Sequence, residues 1–347
     1  MAGWGGWGGW GGWGGWGGWG GWGGSSAAAT ASPSAIAEPL LAEALMRSRD
    51  GTVLQDVNAS FAPKHSPVGD TSSMKRWESI LRFNAALFDL LSGLSFTLGQ
   101  QSATLSVQGQ PLIKMERPDD TFFESQLRHV IDYAEIRTDR ASEIVVQMHP
   151  QVPFWSAAVH IHPAHTPKTL EMIELALGFA SIICMRFKQA MAVARPIDWS
   201  TDIQPIIATP SHSAYPSGHA TEAFMIAYAL PKILTNDASA QSAYQTQLER
   251  QAHRIAENRT VAGVHFPVDS AAGQILAKVL ADYFLFSCFG DHAVRARSFE
   301  PSDKDADFDP VANLEACKPI STLKLPAAQP ETSPLYWLAE RARREFE

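Results

Sequence analysis

Cysteine is scarce in this chain: its 347 residues hold three, Cys184 and Cys288 in apolar runs and Cys317 in a polar tail, with no C-x-x-C pair. That spacing argues against a disulfide framework or a thiolate zinc site and fits a reducing compartment. Positive charge is also short, with 28 Lys and Arg against 36 Asp and Glu and a net charge of −8. Nucleic acid is therefore not an expected partner, because phosphate backbones require a broad cationic surface, and any anion site must be local. Long unbroken apolar runs are missing too. The stretches 172–184, 223–234 and 270–288 carry Glu174, Lys232, Lys278 or Asp282, so they read as core helices and not as transmembrane spans. The N-terminus lacks the basic residues and Leu-rich run of a secretory signal. The expectation is a soluble, cytoplasmic protein, with export left open.

What is present divides the chain into four parts. Residues 1–34 are a low-complexity tail in which Gly-Gly-Trp repeats from Trp4 to Trp22. Glycine at that density opposes helix and strand and predicts disorder, while the indoles offer contact area for a surface or for self-association. Residues 35–74 read as a linker with a short helix over Ala35–Met46. Residues 75–292 are densely helical. Ile80, Phe83, Ala86, Leu87, Leu90, Leu91 and Leu94 form one stripe, Thr104–Ile113 reads as a hairpin around Gly109, and Thr121 with Glu124 suggests a capping box. Further helices are expected over Ala141–Met148, from Pro167 to Ala194, and over His219–Leu230, Ala243–Asn258 and Pro267–Phe286. Residues 293–347 read as a Pro-rich extension ending in a short helix capped by Ser333-Pro334. With 45% hydrophobic residues the chain can bury a real core, and the expected fold class is all-α, a single helical-bundle domain.

Three clusters carry chemistry. Lys188 and Arg195 are seven apart, so on one helix they would share a face about 10 Å apart. Alone, such cations are ordinarily solvated charges near a helix C-terminus. In Tyr215-Pro-Ser-Gly-His219, Ser217 and Gly218 occupy the turn that opens a helix, where orphan amides and a hydroxyl make an anion seat. Gly218 admits an oxyanion close to the backbone, and His219 can donate to the same ligand. The plainer alternative is an ordinary N-cap with an exposed histidine. Downstream, Arg259 is followed by His265 and Asp269 around Pro267, so the carboxylate can fix one tautomer of the imidazole. Read alone, these could be a satisfied histidine and a helix-start aspartate. His160, His162 and His165 in HIHPAH lack a nearby Cys or acidic partner and are not assigned a metal. His212 lies just upstream of the turn, and Trp155, Trp199 and Phe187 are candidates for an apolar wall.

In order, K-x6-R-P, P-S-G-H and R-x5-H-x3-D resemble the superfamily that joins type 2 phosphatidic acid phosphatases, bacterial acid phosphatases and vanadium-dependent haloperoxidases. The closely matching span runs from residue 188 to 269. The resemblance implies that fold's helical bundle, with Lys188, Arg195 and Arg259 on phosphoryl oxygens and Ser217 and the Gly218 amide as further donors. It implies His265 as nucleophile, Asp269 as its orienting partner and His219 as acid for the leaving alcohol. The usual serine of the third motif is Asn258 here. The activity implied is metal-independent hydrolysis of phosphomonoesters, small or lipid-like, through a phosphohistidine, with no cofactor. The alternative is a haloperoxidase, in which vanadate would sit in the same seat and His265 would ligate vanadium. A scaffold role centred on the tail is a third reading, opposed by the complete set of motifs.

Overall fold

The computed structural model describes residues 39–52, 65–326 and 332–347. The Gly-Gly-Trp tail and the start of the expected 35–46 helix lie outside them. The chain separates into two units, Met1–Pro67 and Val68–Glu347. In the first, the described element is helix α1, Pro39–Thr52.

In the second unit a 3-10 turn over Thr71–Arg76 leads into α2 (Ser79–Ser92), which buries Phe83, Ala86, Leu87 and Leu90. Ile80, counted in the same stripe, is 40% exposed, because the buried face begins one turn later. Leu94, also counted there, belongs instead to strand β1 (Leu94–Leu98). Next come β2 (Ser102–Val107) and β3 (Gln110–Glu116), the expected hairpin. Its turn places Gln108 at φ 48° and Gly109 at φ 77°, the left-handed backbone that two-residue hairpins need. In β2 the inward positions Ala103, Leu105 and Val107 alternate with polar ones.

The helical body follows as α3 (Asp120–Asp132), α4 (Arg137–Val146), α5 (Val152–Ser156), α6 (Pro167–Met191), α7 (Pro196–Trp199), α8 (Gly218–Leu234), α9 (Ala238–Val261) and α10 (Pro267–Phe289). The start of α3 corrects the expected capping box. Its N-cap is Asp119, whose Oδ1 accepts from the Phe122 amide at 2.9 Å and from Thr121 Oγ1 at 2.8 Å, because an ionised carboxylate is a stronger acceptor than a hydroxyl. Helix α8 packs against α6, α9 and α10 and is buried on nearly every face. At its start α10 comes so close that a Cβ on Gly273 would lie 2.7 Å from the Ser217 carbonyl oxygen. Helix α4 docks on the end of α9 through Ile144, Val261, Ala262 and Val264.

The all-α expectation requires correction. Past residue 291 the chain forms β4 (Arg295–Phe299), α11 (Pro310–Ala316) and β5 (Ser321–Thr322) before α12 (Pro334–Arg343). Strand β4 lies parallel to β3, pairing Ile113 with Arg297, and completes a five-stranded sheet in the order β1-β2-β3-β4-β5. The unit is mostly helical with this sheet at its side. Strands β4 and β5 are short and largely polar, so local periodicity gives them little signal.

Among the described residues one helix, α10, is long and apolar enough to cross a membrane by length and composition, with a mean hydropathy of 1.3. Of its apolar window, 78% is buried against the rest of the fold.

Candidate functional site

The turn before α8 is held from two sides. Ser217, fully buried, accepts from the Ala220 amide through Oγ at 3.4 Å, and its own amide donates to the Asp269 carbonyl at 2.8 Å. The first bond is the N-cap expected of a serine. The second ties the turn to the start of α10. Around Gly218 the space is open: a Cβ built there would meet one neighbouring atom within 4 Å, Lys188 Cε at 3.9 Å.

Lys188 reaches this turn from the last part of α6, donating through Nζ to the carbonyls of Ser213 (2.8 Å) and Ala214 (3.0 Å). Arg195 does not share its helix. Helix α6 stops at Met191, Ala192 adopts the left-handed conformation at φ 50°, and Arg195 is the extended residue that caps α7. From there its Nη1 donates to the Val264 carbonyl (2.7 Å) and to His265 Nε2 (3.0 Å), and its Nε donates to the His212 carbonyl (3.0 Å). Arg259, near the end of α9, donates through Nη2 to the Ile144 carbonyl (3.2 Å) and to Gln147 Oε1 (2.8 Å). Its Nε and Nη1 are buried and have no protein partner. Uncompensated burial of a guanidinium is costly, and these two donors are open to an acceptor from outside the fold.

His265 donates from Nδ1 to Asp269 Oδ2 at 2.8 Å, while the Phe266 amide donates to the same oxygen at 2.9 Å. Because an arginine can only donate, the contact with Arg195 fixes His265 Nε2 as the bare nitrogen. Its lone pair is therefore available once that arginine turns to another acceptor. His219 Nε2 faces the Gln147 carbonyl at 3.2 Å, and since a carbonyl only accepts, Nε2 carries the proton in the neutral ring.

The electrostatics show that these groups share one space. Burial, then Arg195 and Lys188, hold His265 well below the ordinary histidine range. Desolvation, followed by Arg259, with Lys188 and Arg195 further down, pulls His219 down to about 3. Both imidazoles are therefore neutral at pH 7. Burial lowers Lys188 to about 8 and Arg259 to about 10, and it raises Asp269. Lys188, Arg195, Arg259, His265 and Asp269 are buried, whereas His212, Gly218 and His219 are half-buried.

The structure thus brings together the eight residues marked in the sequence. Of the aromatic candidates, Trp155 is buried, Phe187 stacks edge-on with Phe96 at 4.9 Å, and Trp199 lies against Phe123 at 6.1 Å. These contacts place Phe187 and Trp199 in the packing of the fold. His212 Nδ1 lies 3.0 Å from Arg195 Nη2. Asn258 is fully buried, with Nδ2 donating to Gln147 Oε1 at 3.1 Å and Oδ1 accepting from Arg140 at 3.0 Å. Among the described residues no group of three or more His, Cys, Asp or Glu is arranged to hold a metal ion. Two residues escaped the motifs. Glu222, one turn along α8, is raised to about 7 by burial against the opposing charge of Lys188. Gln147 belongs to no pattern at all.

Residues 172–291 match the model of the PAP2 superfamily. The matched segment runs from the first part of α6 to just past α10, and so contains all eight residues. A solved transmembrane PAP2 type phosphatidylglycerolphosphate phosphatase from Bacillus subtilis is similar at 18% identity, over 48% of this chain and 94% of its own, with a TM-score of 0.30. No curated protein matches the chain.

Proposed function

We propose that this chain is a phosphatase that hydrolyses phosphomonoesters without a metal, through a phosphohistidine on His265. The PAP2 match supports the phosphatase class. The observation that carries the mechanism is the pairing of a bare, buried His265 Nε2 with the two unpartnered donors of Arg259. Lys188, Arg195 and Arg259 supply three positive charges for a phosphate dianion in a site poor in water, where such charges act strongly.

In this mechanism, the substrate's oxygens draw Arg195 off His265, and the freed Nε2 lone pair forms a bond to phosphorus. The ester P–O bond breaks, its electron pair goes to the leaving oxygen, and His219, protonated under the influence of the bound dianion, gives that oxygen a proton. Water then attacks the phosphohistidine, His219 takes the water's proton, and the P–N electron pair returns to His265. Asp269 holds the Nδ1 proton throughout.

Phosphate release from an aryl phosphate in metal-free buffer, set beside halide oxidation by peroxide after vanadate loading, tests this reading. The first without the second is expected; halide oxidation without phosphate release reverses the assignment to the haloperoxidase chemistry. His219→Ala should lower kcat/KM for alkyl phosphates about 10²- to 10⁴-fold while sparing kcat/KM for aryl phosphates with acidic leaving groups, since kcat/KM ends at phosphoryl transfer to His265 and these leaving groups need no proton. Equal losses on both would remove His219 from the acid's role.

The pH dependence follows from Lys188. With its ammonium lowered to about 8, the free protein keeps this charge below pH 8 and loses it as pH rises through that value. Inorganic phosphate affinity, measured by calorimetry, should therefore fall above pH 8, and in Lys188→Arg the fall should move to higher pH. An affinity unchanged up to pH 9.5 in the unaltered chain contradicts this.

A further inference from the structure

One side chain outside the motifs touches two members of the site. Gln147 ends α4, is 0% exposed, and uses each of its polar groups. Its Oε1 accepts from Arg259 Nη2 at 2.8 Å and from Asn258 Nδ2 at 3.1 Å. Its Nε2 donates to Glu143 Oε1 at 3.0 Å, and Glu143 is in turn held by Arg254 at 2.9 Å. Its carbonyl faces His219 Nε2 at 3.2 Å.

We propose that Gln147 is a positioning residue, which aims Arg259 through its side chain and sets the proton of His219 through its main chain, with Asn258 as its brace. This rests on reading the site as one that binds a phosphoryl group. Arg259 Nη2 carries two hydrogens. One goes to Gln147 and the other to the Ile144 carbonyl, which fixes the guanidinium and leaves Nε and Nη1 for oxyanion oxygens. Without Gln147 the planar group can turn about its long side chain, and its free donors lose their aim. Asn258 has no slack of its own, because Arg140 holds its other end. The backbone carbonyl is a separate device. As a pure acceptor it keeps the His219 proton on Nε2, and it remains in place when the side chain is changed.

The test uses the full chain and inorganic phosphate, with binding read by calorimetry, turnover by a series of aryl and alkyl phosphates, and folding by circular dichroism. Gln147→Leu, close in size but without the amide, should bind phosphate about 10- to 100-fold more weakly, as expected for a lost hydrogen bond to a charged group. Its dependence on leaving-group acidity should stay that of the unaltered chain, because the carbonyl facing His219 remains. A folded Gln147→Leu with unchanged phosphate affinity overturns the proposal, as does a change in leaving-group dependence as large as that of His219→Ala. If Gln147→Leu does not fold, Asn258→Ser answers instead, since it loosens the brace alone. An affinity about three- to tenfold weaker is expected there, and an unchanged one overturns the proposal. If the unaltered chain binds no phosphate, the phosphoryl reading fails and takes this proposal with it. Binding by the unaltered chain with an indifferent Gln147→Leu defeats this proposal alone.

Discussion

His265→Ala should abolish phosphate release, lowering turnover by about 10⁴-fold or more, as removal of a nucleophile does elsewhere. The argument is geometric first. Asp269 Oδ2 occupies Nδ1 at 2.8 Å, so Nε2 is the one nitrogen that can attack, and Arg195 already marks its lone pair at 3.0 Å. It is also electrostatic, because burial and the neighbouring cations keep the ring neutral and thus nucleophilic across the working pH range. Steady-state assay of the purified variant, together with mass spectrometry of acid-labile phosphate on the unaltered chain, checks both halves. Residual activity within a factor of ten of the unaltered chain would remove His265 from the nucleophile's role.

Arg259→Met should separate function from stability. The arginine is 1% exposed, two of its nitrogens lack partners, and desolvation works against its charge. Methionine fills similar space without a buried charge, and replacing buried ionic groups by apolar ones is often neutral or stabilising by about 1–4 kcal/mol. Gln147 Oε1 keeps Asn258 as donor, so the loss of a partner falls on the Ile144 carbonyl. The variant should therefore lose about 10²- to 10³-fold in kcat/KM, the scale of a lost oxyanion donor, while melting no lower than the unaltered chain. Activity preserved in a protein that melts several degrees lower would make Arg259 a structural residue and leave the anion site with two cations.

How much of this could be read in advance depended on how local each feature is. His265 and Asp269 are four residues apart across a helix start, and Ser217 caps the helix it precedes, so backbone geometry fixes those relations within one turn. Arg195 leaves the helical face it would share with Lys188 because the left-handed Ala192 ends α6 early, and nothing but the later Pro196 signals a break. The residue still arrives beside His265, by way of contacts with Val264 and His212. The sheet was half visible. Its hairpin has a turn signature and alternating burial, whereas β4 joins β3 across the entire helical body, from Ile113 to Arg297. Gln147 could not be foreseen, because its partners Arg259 and Asn258 are more than a hundred positions away and an isolated glutamine at a helix end carries no pattern.

The most direct measurement of the central claim is the anomalous density of tungstate, a tetrahedral phosphate analogue, soaked into crystals of the full chain. One peak is expected beside His265 Nε2, with Lys188, Arg195, Arg259 and the Gly218 amide on its oxygens and the Arg195–His265 contact opened. Tungstate bound elsewhere, with that contact still closed and the Arg259 nitrogens still unpartnered, would contradict the account.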